Sequence, residues 1–283
     1  MISLPHGFKR WSSLAEVRAD ERLLNQSWRG QLAFQRHLGQ QSARVLDGFC
    51  AVCERESQFR FEVPAEEADW RETLVCAHCG LLNRWRSSLH LARLLAARRP
   101  PGPLYVTEQS TALFRALNAA LGTLIGSEYV SDQARPGQIS DWDGRHLRHE
   151  DLTALSFRSA TLSMLMSFDV LEHVPDYPRA LGEIARVLKP GGVLLLTAPF
   201  GFNVEQTLIR ARRLADGSIE HRLPPIYHGD PLNPEGVLCF QEFGWDLIEE
   251  LRALGFAEVQ LITAWAPEYG YLGTFQTFVV GRR

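Results

Sequence analysis

Four of the five cysteines fall into two pairs, Cys50-Ala51-Val52-Cys53 and Cys76-Ala77-His78-Cys79, with 22 residues between them. Two residues between thiols let one tight turn aim both sulfurs at a tetrahedral ion. Two such turns complete a closed four-sulfur shell with no open position for catalysis. The spacing therefore predicts a structural zinc site on Cys50, Cys53, Cys76 and Cys79. Disulfides are the rival reading, but they need an oxidising compartment, and the charged start of the chain reads as no secretory leader. Gly80, directly after the second pair, suits the left-handed backbone such a turn often needs, and Phe61 and Trp70 lie between the pairs, where they can shield a metal. His78 sits inside a pair, yet four thiolates already suffice. Cys239 stands alone between Leu238 and Phe240 and reads as a small buried apolar residue.

A second set of residues could move protons. Histidine has an ordinary pKa suited to taking a proton near neutrality. His173 follows an apolar run, and His221 and His228 lie in a long irregular stretch. Tyr227-His228-Gly229-Asp230-Pro231 is the densest polar cluster there, and a carboxylate at Asp230 could orient His228 and raise its basicity. The alternative is that His173 fixes its loop while His228 and Asp230 stabilise a turn beside Pro231. Trp245, Tyr269 and Tyr271 could line an aromatic substrate pocket, or sit in the core as single aromatics more often do.

The elements that must position these residues fall into two parts. Spaced apolar positions over 12–46, interrupted at Gly30, suit one or two amphipathic helices. A further helical pattern through Leu89, Leu91, Leu94 and Leu95 stops at Arg99-Pro100-Pro101-Gly102-Pro103. That linker divides the chain into an amino-terminal helical and zinc-ribbon module over 1–99 and a second domain over 104–283. Beyond it the pattern predicts strands at Leu104–Thr107, Thr123–Val130, Leu162–Phe168, Val193–Ala198, Val259–Ala264 and Thr274–Val280. Helices are predicted at Thr111–Leu121, Tyr177–Leu188 and Trp245–Leu254. Such alternation predicts an α/β fold, a mostly parallel sheet with helices on both faces. Residues 201–243, rich in Pro, His and Gly, break the rhythm, and so long a connection is usually functional.

Three segments in the middle of the second domain carry a family resemblance. They are Asp151-Leu152-Thr153-Ala154-Leu155-Ser156-Phe157, Ser167-Phe168-Asp169-Val170-Leu171-Glu172-His173-Val174-Pro175-Asp176, and Ala180 through Leu188-Lys189-Pro190-Gly191-Gly192. On these residues the chain from about Pro103 onward resembles the class I S-adenosylmethionine-dependent methyltransferases, particularly the type 11-like group with small-molecule substrates. The resemblance implies a Rossmann-like sheet that binds S-adenosylmethionine at the carboxyl ends of its strands. It implies that Asp151, with Leu152 beside it, accepts a hydrogen bond from the adenine amino group. Ser167 to Asp169 would end a strand at the cofactor's edge, and Glu128 would receive the ribose hydroxyls. The family's glycine-rich turn after the first strand departs here to Glu108-Gln109-Ser110-Thr111-Ala112. Ser110 and Ala112 are small, but Glu108 stands where the first glycine belongs. Either Glu108 faces the cationic end of the cofactor, or the pocket serves another ligand or none.

By this reading the chain moves a methyl group onto oxygen, or less readily nitrogen or carbon, of a small metabolite or glycan, with the zinc module framing the acceptor and a histidine as base. A methyltransferase-like protein that has lost catalysis and binds a partner through the zinc module is the competing class. RNA modification draws on Arg84, Arg86, Arg93, Arg98 and Arg99. Residues 1–100 hold 15 basic against 11 acidic residues, and the whole chain carries a net charge of −3. That is too dilute for a phosphate-binding groove, so a nucleic-acid partner is disfavoured. No apolar run is long enough to span a bilayer. The expectation is a cytoplasmic protein without a membrane partner, whose amino-terminal helices could pair in a homodimer.

Overall fold

The computed structural model describes residues 3–62 and 69–283, which fall into two compact units, Met1–Ala97 with Ile262–Thr277 and Arg98–Leu261 with Phe278–Arg283. The break at Ala97 and Arg98 lies just ahead of the proline-rich linker. The membership of 262–277 in the amino-terminal unit has no counterpart in the sequence pattern, because a strand that passes from one unit to another keeps the same apolar alternation throughout.

The amino-terminal unit contains β1 (Phe8–Trp11), α1 (Leu14–Ala19), α2 (Glu21–Gly39), β2 (Val45–Cys50), β3 (Arg55–Arg60), β4 (Val75–Cys76) and α3 (Asn83–Ala96). Ser13 caps α1 by accepting from the Glu16 amide at 3.3 Å, and Glu16 reaches back to the Ser12 amide at 2.6 Å, a reciprocal pair that satisfies donors a helix start leaves open. Helix α2 runs straight through the expected interruption at Gly30, which lies exposed with nothing near it. Strands β2, β3 and β4 form an antiparallel three-stranded sheet. Its register pairs Cys50 with Arg55 and Phe59 with Cys76, which brings both cysteine turns to the same end.

The second unit begins with β5 (Leu104–Val106), α4 (Ala112–Leu121) and β6 (Leu124–Gly126), followed by a hairpin of β7 (Ile139–Trp142) and β8 (Arg145–Arg148). Then come β9 (Leu162–Phe168), α5 (Tyr177–Val187) and β10 (Leu188–Thr197). After six short strands, β11 (Leu208–Ile209), β12 (Ala211–Arg213), β13 (Ile219–His221), β14 (Tyr227–His228), β15 (Val237–Leu238) and β16 (Gln241–Glu242), the chain closes with α6 (Asp246–Ala253), β17 (Glu258–Ala266) and β18 (Tyr271–Arg282). The strands lie in the order β17-β18-β10-β9-β5-β6. Strands β10, β9, β5 and β6 are mutually parallel and β18 is antiparallel to β10. This is the expected α/β, Rossmann-like sheet. All seven residues of β9 are buried, as a central parallel strand requires when both of its faces are covered.

Two details differ from the sequence reading. The strand expected from Val193 starts earlier, at Leu188, and Lys189-Pro190-Gly191-Gly192 forms a bulge inside it, where the register to β9 shifts between Leu188 and Val193. Gly191 takes φ 74° there, a conformation that suits a residue without Cβ. The stretch 201–243 is also more ordered than its composition suggests. It folds into three small antiparallel ladders, β11 with β16, β12 with β13 and β14 with β15, closed at its base by a bridge between Phe200 and Phe243. Among the described residues no helix is long and apolar enough to cross a membrane.

Candidate functional site

Strands β5, β6 and β9 end side by side, and each hands on to a loop carrying a carboxylate. After β5, Glu108 is buried, and its Oε2 accepts a short hydrogen bond from the Thr111 hydroxyl. It is thus turned toward the first turn of α4, where Thr111 caps the helix by accepting from the Phe114 amide at 3.0 Å. Glu128, just past β6, accepts on Oε1 from the Gln109 amide at 2.8 Å, the Ser110 amide at 2.7 Å and the Ser110 hydroxyl at 2.6 Å. The loop that lacks the glycines is therefore held shut by a carboxylate. Ala112 opens α4. Gly126 permits the closure, since a Cβ there would stand 2.8 Å from the Glu108 carbonyl oxygen and 2.5 Å from Phe114 Cε2. Sequence reasoning passed over Gly126, although Gly-Ser-Glu at a strand end was visible.

Beyond β8, Asp151 Oδ1 accepts from the Thr153 amide at 2.7 Å and the Thr153 hydroxyl at 2.8 Å, while Leu152 is buried. Ser167, near the end of β9, accepts from the Thr107 hydroxyl at 3.1 Å, tying the ends of two adjacent strands together. Asp169 has φ 54°, unusual for a residue with a Cβ. Its amide donates to the Thr197 carbonyl at 2.9 Å, and its Oδ1 accepts from the Thr197 hydroxyl at 3.0 Å. Backbone strain held in place by such bonds is common where a side chain must be aimed into a site.

The turn after Asp169 carries the residue that sequence reasoning missed. Glu172 is 1% exposed, and neither of its carboxylate oxygens makes a hydrogen bond. Oε1 lies 3.8 Å from His173 Nε2 and 3.5 Å from His228 Nδ1, and the two imidazole rings meet edge to face with centroids 4.9 Å apart. Burial pushes the Glu172 carboxyl up, with His228 opposing and Asp169 adding to the rise. The Glu-His dipeptide was the only sequence signal, since its partner His228 comes from β14. The inserted ladders are stitched to this turn: His173 Nδ1 lies 2.8 Å from the Leu238 carbonyl oxygen, the Phe240 amide donates to the Glu172 carbonyl at 2.8 Å, and Gln241 Nε2 donates to the Leu171 carbonyl at 2.7 Å. Cys239 is buried next to them, and burial, with the charge of Glu172, pushes its thiol up to about 11.

The sequence offers Asp230 as the carboxylate that orients His228, and the structure brings a second one to the ring. Glu172 Oε1 faces His228, and Asp230 Oδ1 accepts from the Leu232 amide at 2.6 Å and the Asn233 amide at 2.8 Å, the usual way an aspartate stabilises a turn after itself. His221 is exposed on β13. The three aromatics are divided between the two units. Trp245 is buried in the second unit, donating to the Phe202 carbonyl at 2.9 Å, whereas Tyr269 and Tyr271 stack on each other in the amino-terminal unit.

In the amino-terminal unit the four sulfurs of Cys50, Cys53, Cys76 and Cys79 lie within 4.8 Å of one another, with Cys53 and Cys76 3.8 Å apart and no disulfide among them. Bonds of about 2.3 Å to a tetrahedral zinc ion put its sulfur ligands about 3.8 Å apart, so the cysteines fit that ion. Gly80 has φ 68° in the turn after the second pair. Phe61 and Trp70, 5.1 Å apart, pack in the same buried cluster as Cys50 and Cys76. The buried Arg86 guanidinium lies close enough to Cys50, Cys76 and Cys79 for their charges to act on it, while burial pulls its own pKa down.

Residues 110–196 match the family described as "Methyltransferase domain". Among named relatives, a "probable S-adenosylmethionine-dependent methyltransferase" of Mycolicibacterium smegmatis is 32% identical over 95 residues, 29% of this chain and 37% of that protein. An "uncharacterized methyltransferase" of Mycobacterium sp. strain KMS is 36% identical over 93 residues, 29% of this chain and 36% of that protein. The likeness thus takes in little more than a third of either relative's length. Among solved structures, an S-adenosylmethionine-dependent methyltransferase from Mesorhizobium loti aligns over 69% of this chain and 98% of its own, with a TM-score of 0.41 and 17% identity.

Proposed function

We propose that the chain is an S-adenosylmethionine-dependent methyltransferase acting on a hydroxyl of a small metabolite or glycan. The observation that carries this reading is the placement of Glu128, Asp151 and Asp169 around the carboxyl ends of β6 and β9, the first and last of these following parallel strands, within a segment that matches the methyltransferase domain. Open α/β sheets bind ligands at that edge. Methyl transfer is an in-line displacement at a sulfonium carbon, so the protein's tasks are to hold the cofactor, orient the acceptor and remove its proton.

In this reading Glu128 takes the ribose hydroxyls, Asp151 the adenine amino group, and Leu152 packs beside the base. Ser110 and Ala112 let the loop approach the cofactor, and Ser167 and Asp169 bound the reacting end. Glu108, buried at the loop, adds negative charge near a sulfonium. Glu172, His173 and His228 gather where the acceptor hydroxyl must lose its proton, with Asp230 shaping the turn that presents His228. The amino-terminal cysteines hold a structural zinc ion, which supplies a fixed cross-link between the two turns.

The competing reading, a binding protein without catalysis, draws on Glu128 Oε1 already serving three donors. Calorimetric titration of the full chain with S-adenosylmethionine and S-adenosylhomocysteine separates the two. Binding of both is expected, and absence of heat from either leaves only the competing reading. Transfer of a labelled methyl group to a panel of hydroxylated compounds then identifies the acceptor.

A further inference from the structure

We propose that Glu172, His173 and His228 form a binding site for a divalent first-row transition-metal ion, separate from the four-cysteine centre. The three donors come from two places, the turn after β9 and strand β14 of the inserted ladders, and all lie within 4.8 Å of one another. Their spacing distinguishes a coordination shell from an ordinary ion pair. Charge-assisted hydrogen bonds draw nitrogen and oxygen to about 2.7–2.9 Å. Here the nitrogens stand 3.8 and 3.5 Å from Glu172 Oε1, near the edge of about 3.4 Å that a tetrahedron of roughly 2.1 Å metal bonds has.

Two further observations point the same way. Glu172 is a carboxylate removed from water with no hydrogen bond to either oxygen, a costly arrangement unless something else satisfies the charge. His173 also makes the contact typical of a metal-bound imidazole: its Nδ1 lies 2.8 Å from the Leu238 carbonyl oxygen, which can only accept, and its Nε2 faces the Glu172 side. Two imidazoles and one carboxylate suit zinc or manganese better than magnesium or calcium, whose ligands are nearly all oxygen.

The class of ligand the ion would take follows from its position, and this step rests on the proposed methyltransferase reading. Three protein donors leave at least one coordination position open, in a turn that starts at Asp169 on the carboxyl edge of the sheet. A hydroxyl of the acceptor bound there loses its proton to water more readily, because a divalent cation stabilises the alkoxide or phenolate. The oxygen lone pair then forms the new O–CH3 bond, the methyl–sulfur bond breaks, and its electron pair returns to sulfur, leaving a neutral thioether. Alcohols, and above all vicinal diols or catechols that chelate, are the substrate class this site favours.

The test uses the full chain with its four-cysteine centre zinc-loaded, and manganese(II) chloride alone as the probe. Manganese avoids a four-thiolate shell, so its electron paramagnetic resonance titration reports on the nitrogen and oxygen site. One bound manganese ion per wild-type chain is expected, with at least tenfold weaker binding in both Glu172→Gln and His228→Ala. Zinc analysis of the same proteins after equilibration with zinc should count two ions per wild-type chain and one per variant chain. His228 lies in a half-exposed hairpin, so its truncation leaves the core intact, and circular dichroism checks both variants. Wild-type chains that take up no manganese and only one zinc overturn the proposal, as does uptake unaltered by both substitutions. Because neither readout involves S-adenosylmethionine, loss of this proposal is distinguishable from loss of the methyltransferase reading, which calorimetry decides.

Discussion

Ser110 donates through both its backbone amide and its hydroxyl to a single carboxylate oxygen of Glu128, at 2.7 and 2.6 Å. The Gln109 amide adds a third bond at 2.8 Å. Glycines in this turn would leave bare amides close to a ligand, whereas here an acidic side chain gathers them. Glu128→Gln keeps the size but exchanges charge-assisted acceptors for neutral ones, roughly halving the strength of each bond. The expected result is a weakening of S-adenosylmethionine binding by tenfold or more, about 1.4 kcal/mol, with a fall in melting temperature of a few degrees. Calorimetry and thermal denaturation check both. An unchanged melting temperature would show that the loop does not depend on the carboxylate.

Two glycines predict opposite signs for the same substitution. Gly126→Ala sets a methyl 2.8 Å from the Glu108 carbonyl oxygen and 2.5 Å from the Phe114 ring. The backbone cannot yield without moving the loop, so a loss of about 1–3 kcal/mol is expected, together with weaker cofactor binding. Gly30→Ala fills open space on an exposed face of α2 and removes freedom from the unfolded chain, which should raise stability by about 0.5–1 kcal/mol. Urea unfolding of the two variants side by side gives both signs.

What was legible in the residues follows periodicity and local spacing. The parallel core, α4, α5 and the two cysteine turns all rest on short-range patterns, and their residues fall where those patterns put them. Partnerships across the fold were not legible. Sequence proximity offers Asp230 as a partner for His228 but gives no sign that the ladder formed by β14 and β15 carries the ring to Glu172, 56 positions earlier. Glu172 itself was hidden by its neighbour, since a carboxylate beside a histidine gives no sign of whether it is buried. Gly126 was hidden because the atoms that forbid a side chain there belong to Glu108 and Phe114, and no local pattern reports a close approach from a neighbouring strand.

His90 predicts acid sensitivity in the amino-terminal unit. Burial, helped by the charge of Arg93, brings its pKa down to about 4, and its Nδ1 lies 3.3 Å from the Tyr271 hydroxyl. The unfolded chain protonates this residue near pH 6.5 and the folded chain only near 4, so the unfolded state binds the extra proton between those values. Stability is therefore complete above about pH 6.5 and declines as pH falls toward 4, by about 1–3 kcal/mol for this one group. His90→Gln should flatten that part of the stability profile without altering the plateau's pH position. Denaturant titrations at pH 7.5, 6 and 5 make the comparison, and equal slopes for wild type and variant would assign the acid loss to other groups.

Arg86 couples the cysteine centre to the rest of its unit. Its guanidinium is buried, lies 4.0 Å over the Phe59 ring, and donates to the carbonyls of Leu74, Tyr269 and Gly270 at 3.0, 2.5 and 3.0 Å. None of these acceptors carries a charge, so a buried cation is stabilised here by dipoles, an aromatic face and the nearby thiols. Four thiolates around zinc would carry a net charge of two minus fixed in one cluster, which the guanidinium complements. Arg86→Met leaves the three carbonyls without their donor whether or not metal is bound, a loss of about 1–3 kcal/mol, and in the loaded form it also removes the charge complement of the zinc–thiolate cluster. The substitution should therefore cost more in the zinc-bound protein than after zinc is withdrawn, and zinc should pass to a chromophoric chelator at least tenfold faster from the variant. Urea unfolding with and without zinc measures the difference, and an equal cost in the two forms would mean that Arg86 serves the carbonyls alone.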